Sequence, residues 1–330
     1  MNIEQDIDQL KALVTKYDTE SFAGFFAYFL RKRPDESGKI SLNKFESKYK
    51  DFLYLVALNA FSEKTGNERL EFSDELVGLL ADKLNAVKEH YYTKEEEEPA
   101  MEKVLHELAF RNHFDNGVLS YVEQDLERIR TVFAPFEEKI ITDFGFGINF
   151  LIDWYKHSEL ITQVRYKKVM EFARTGPFGQ YLNKTYNSYE SFNDALHDLP
   201  EEVLDGFLAF HARTWTWLLF TKEDMCLTLP EEQVDKFLAL FSVAPDPTLD
   251  VRYYAAATPF ETRPILRLGE NKYLNLVQKQ LPIAIYRRLY EHLLNDKATN
   301  DKIRKHRERS LEKKVVGLFR SFFTARETFF

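Results

Sequence analysis

A chain of 330 residues, 44% of them apolar and including 29 Phe and 17 Tyr, buries a substantial core in one large or two ordinary domains and is not a disordered polypeptide. Its net charge of −8 argues against a protein that coats nucleic acid non-specifically, while leaving room for a local basic face. The single cysteine, Cys226, suits a reducing compartment, so a cytoplasmic protein is expected; residues 1–6 lack the basic and apolar regions of a signal peptide, and no apolar run reaches the roughly 18 residues of a membrane span.

The first three quarters of the chain read as helix. Ile3, Ile7, Leu10, Val14 and Tyr17 recur at three- and four-residue spacing, up to Asp18-Thr19. Phe22, Phe25, Phe26, Phe29 and Leu30 then cover a wide arc before Pro34; a lipid-surface helix would need more basic residues than Arg31, Lys32 and Arg33, so core packing is the expectation. From Ser41, the set Phe45, Tyr49, Phe52, Leu53, Val56 and Ala60 predicts a buried helix, and Ser73 is the expected cap of another carrying Leu76, Leu80, Leu84 and Val87. The run Glu95-Glu96-Glu97-Glu98-Pro99 reads as a solvated helix start rather than a cation site. Helices continue past Pro135 to Gly145-Phe146-Gly147, a helix junction that lacks the third glycine and preceding strand of a dinucleotide fingerprint, and into a long segment through Ile161.

Between Arg174 and Pro200 breakers and polar residues accumulate, marking the best internal boundary. Helix is expected again from Val203 through Leu219 and after Pro230. Ile265-Leu266-Arg267-Leu268 and Tyr273-Leu274-Asn275-Leu276-Val277 flank Gly269-Glu270-Asn271-Lys272, which reads as strand, turn, strand. Two long helices follow, over about residues 282–294 and 301–323. The expected fold is mainly α, a multi-helix array or bundle with a small β-hairpin near residues 264–277. The expected organisation is an N-terminal helical subdomain over 1–175, a second over 176–250, and the hairpin with two long helices over 251–330.

Few constellations carry chemistry. His106-Glu107 and His113 lack the spacing of a zincin, His211 among Phe207, Phe210 and Trp215 reads as a core histidine, and Cys226 has no neighbour to make it a nucleophile. No metal site is expected. Pro245-Asp246 with Glu270-x-Lys272, and Pro34-Asp35 with Glu46-x-Lys48, each resemble the carboxylate and lysine set of Mg²⁺-dependent nucleases, but one match falls in a turn and the other on a helical face. On the closing helix, Leu311, Val315, Leu318, Phe319 and Phe322 form an apolar stripe, with Lys302, Arg309, Lys313 and Arg320 on the opposite side. That side is a phosphate-contacting ridge or simply a solvated basic face.

The order of strand, Gly-containing turn, strand, long helix and then Arg309-Ser310-Leu311-Glu312-Lys313-Lys314-Val315-Val316-Gly317-Leu318-Phe319 resembles a layout in large bacterial defence-type proteins. In those a long helical N-terminal region precedes a nuclease domain of the restriction-endonuclease superfamily. The resemblance covers residues 259–330. It implies that Glu312 matches the acid on the first core helix of such a domain, and that the strands bearing Asp and Glu-x-Lys lie beyond residue 330. Mg²⁺ is then expected only in a following domain, with no cofactor in this chain. On that basis the chain is the helical sensor, scaffold or assembly region of an antiphage-type nuclease and is not catalytic by itself; the alternative is a self-contained protein–protein interaction module. A homodimer is expected from the load of aromatics, with a protein partner, or nucleic acid along the basic helix, as further partners.

Overall fold

The computed structural model describes residues 2–31, 41–63, 65–70, 73–92, 121–185 and 215–322, with single positions at 101, 104, 105, 200 and 203 between them. The chain is mainly helical, as its periodicity predicts, and a four-stranded sheet lies between two hydrophobic cores.

The first core is built by α1 (Ile3–Val14), α2 (Thr19–Arg31), α3 (Lys48–Ala60) and α4 (Asp74–Tyr92). Each start has a local cause. The Asn2 side chain accepts from the Glu4 N–H, Asp18 Oδ1 accepts from the Ser21 N–H at 2.8 Å, and Ser47 and Ser73 cap α3 and α4. Helix α3 is buried from Lys50 to Ala60, and α2 buries Phe22, Phe25 and Phe26, the last packed against Phe52 of α3 and against Phe45. Gly24 is required by close approach: a Cβ there would stand 2.3 Å from the Trp215 ring.

The second core gathers α5 (Val122–Phe133), α6 (Glu137–Phe144), the first half of α7 (Ile148–Thr175), α10 (Glu231–Phe241) and α11 (Gln280–Asn295). Its centre is Trp154, fully buried and stacked on Phe237 at a centroid distance of 3.9 Å. Gly145 ends α6 with φ of 78°, the left-handed region open to glycine, so the Gly145-Phe146-Gly147 junction forms as expected. Helix α8 (Pro177–Thr185) occupies ground that the sequence marks as loosely patterned, because Pro177 stands at a first helical position where its missing N–H costs nothing.

The predicted hairpin is present as β3 (Ile265–Arg267) and β4 (Tyr273–Asn275). Two strands extend it: β1 (Leu219–Phe220) lies antiparallel to β4, and β2 (Ser242–Val243) lies parallel to β3. The helix expected to run through Leu219 is instead a 3-10 turn at Thr216–Leu218 leading into β1. After β1 comes the short α9 (Lys222–Cys226), opened by a reciprocal bond between Thr221 and Asp224. The sheet has no solvent face. Leu266, Leu274 and Val243 point into the first core, while Ile265, Tyr273 and Phe220 point into the second. This explains why these strands read as continuous apolar runs rather than as an alternation.

Candidate functional site

The sequence-derived candidates all lie on the last helix, α12 (Asn300–Phe322). Its start is fixed by a turn in which Thr299 Oγ1 donates to the Leu293 carbonyl at 2.8 Å and the Asn300 amide donates to the Leu294 carbonyl. The first half docks on α5 and α11. Ile303 is fully buried in the second core, His306 Nε2 lies 3.0 Å from the Thr131 carbonyl, and the Arg307 guanidinium stands 4.8 Å from the Tyr290 ring centroid. From Leu311 to the end of the helix every residue is exposed, over about 18 Å of helix, and Phe319 within this stretch still has a contact partner.

This exposed half has two unlike faces. At about 100° per residue, Leu311, Val315, Leu318 and Phe322 fall within an arc of roughly 60°, and Lys302, Arg309, Lys313 and Arg320 within roughly 40° on the opposite side. The docked positions Ile303 and His306 lie on neither, whereas Arg307, packed over Tyr290, falls roughly 20° outside the edge of the stripe. An apolar stripe ordinarily marks the side that meets the core. Here Leu311 is 64%, Leu318 52% and Phe322 78% exposed.

The charges are equally unusual for this molecule. Residues 300–322 hold eight Lys and Arg against three Asp and Glu, about +5 in a chain of net charge −8. Several basic side chains of the body are drawn into ion pairs: Lys139 with Asp143 and Asp296, Lys222 with Glu231 and Asp235, Arg252 with Glu4 and Asp8, and Lys272 with Glu20. Among the described residues, Lys302, Arg309, Lys313 and Arg320 have no acidic partner within 4.0 Å. Glu312 sits on the same exposed half, and no second carboxylate set is gathered around it among the described residues.

The nuclease-like matches are held in other roles. Asp246 accepts from the Thr248 N–H and hydroxyl in its own turn, which holds its carboxyl below the usual range. Lys272 reaches Glu20 on α2, and Asn271 bonds Glu223 and the Lys222 N–H, so the Glu270-x-Lys272 side chains diverge. Glu270 lines an open cleft of about 370 Å³ with Pro245, Arg267 and Leu268. Of the second match, Glu46 pairs with Lys88 at 2.9 Å and Lys48 reaches Asn43, while Pro34 and Asp35 lie outside the described residues. His106, His113, His211 and residues 95–98 also lie outside them. Cys226 is half-buried, and burial pushes its thiol up, away from nucleophile chemistry.

One cluster escaped the sequence reading. Asp51, fully buried on α3, accepts from the Tyr254 hydroxyl at 2.7 Å and the Ser47 N–H, and pairs with Lys88 of α4 at 3.4 Å. Burial raises the Asp51 carboxyl, and Lys88 and these donors oppose the rise. The cluster fastens α3, α4 and the 250s loop together inside the first core. It serves the fold.

No family model matches this sequence, and neither a curated protein nor a solved structure matches it. Among the described residues no helix is long and apolar enough to cross a membrane.

Proposed function

We propose that the chain is a helical scaffold without chemistry of its own, whose working part is α12, and that the basic ridge of α12 contacts nucleic acid through its phosphates. The observation that carries this reading is the row of Lys302, Arg309, Lys313 and Arg320, aligned over about 27 Å of helix with no acidic partner among the described residues, in a segment of about +5 within a chain of net charge −8. The resemblance to nuclease-associated regions agrees with it: the chain would sense or hold nucleic acid for a catalytic domain supplied separately. A row of point charges along one helix neutralises phosphates and carries no base information, so contact would be independent of sequence.

The test is fluorescence anisotropy with single-stranded DNA, duplex DNA and RNA over a range of salt. Changing all four residues to Gln is expected to weaken binding equally across sequences and to flatten the plot of log affinity against log salt by about 3 units, at roughly 0.7–0.9 per phosphate contact. An unchanged salt slope, or no binding by the native chain, overturns the reading. Incubation with Mg²⁺ or Mn²⁺ is expected to cleave none of these substrates; cleavage lost in Glu270→Ala would make the Glu270-x-Lys272 turn a real active site.

A second reading, a protein-interaction module, draws on the other face of the same helix. An apolar stripe exposed along the second half of α12 is the kind of surface that a partner covers.

A further inference from the structure

We draw no further inference here: the strongest candidate, the apolar stripe of Leu311, Val315, Leu318 and Phe322 on the exposed half of α12, is a bare helix face, and nothing in the structure shows what covers it.

Discussion

Helices α2 and α12 both carry large apolar side chains at helical spacing, yet Phe22 and Phe26 of α2 are fully buried while Phe322 of α12 is 78% exposed. The contrast lies in what surrounds the apolar arc. Helix α2 is apolar over most of its circumference, so it is stable only with neighbours on several sides, and α3, Phe45 and Trp215 supply them. Helix α12 has a narrow stripe on a strongly charged rod, which water tolerates while the stripe waits for cover. Amphipathic periodicity therefore identifies a surface to be covered, and tertiary structure decides whether the chain itself does the covering.

The comparison can be broken from the body first, where the effects are largest. Trp154→Ala should remove about 3–5 kcal/mol of stability in denaturant titration, since the ring is fully buried against Phe237. Asp51→Ala should cost about 3 kcal/mol, because it leaves the buried Lys88 ammonium and the Tyr254 hydroxyl without their shared acceptor; Glu46 keeps part of the ammonium's charge compensated. Gly24→Ala should cost about 1–3 kcal/mol by forcing the Trp215 ring away from α2. If either Asp51→Ala or Gly24→Ala unfolds at the native denaturant midpoint, the account of the first core is wrong.

A gentler probe uses pH. Burial raises the Glu159 carboxyl, with Arg31 at 3.3 Å opposing the rise, so the folded state holds this proton more tightly than the unfolded state. The stability from this group is therefore fully present below the unfolded glutamate value of about 4.3 and is lost as pH rises through the folded value. Glu159→Gln should remove that component, leaving a flatter dependence of unfolding free energy on pH from about 4 upward. An unchanged profile would show that the Arg31–Glu159 pair is not what the pH senses.

The smallest expected effect sharpens the comparison most. Leu318→Glu or Phe322→Ser should shift monomer stability by less than about 0.5 kcal/mol, where the same loss of apolar surface at Phe26 would cost several. A large shift at Leu318 would mean that the exposed half of α12 is part of the core after all.

Much of the body was legible in the sequence because long elements repeat their signal. Ile3, Ile7, Leu10 and Val14 mark α1 with several coincident periods, and Ser73 caps the helix that it predicts; the helix predicted from Ser41 is instead a 3-10 turn at Ser41–Lys44, with α3 starting only after Ser47. The paired residues of β1 and β2 were illegible, since two-residue strands contain no period and owe their pairing to β3 and β4. The Asp51–Lys88 pair was illegible for another reason: the partners are 37 residues apart, and nothing local distinguishes either from a surface charge. On α12 the two faces could be read directly, because both are periodic. The docking face could not, as only Ile303 of its residues is aliphatic, and without it the stripe looks like the side that meets the core.

The sheet also has a mechanical meaning. Since Ile265 and Leu266 belong to opposite cores, a one-residue slip of β3 would send each into the wrong one, so the strand register acts as a lock between the two halves of the molecule. Opening either core strips one wall from the same four strands. The halves should consequently melt in a single calorimetric transition, with the backbone amides of Leu266 and Leu274 exchanging only by global unfolding. Two separable transitions, or early exchange at those amides, would mean that the sheet partitions the protein instead of joining it.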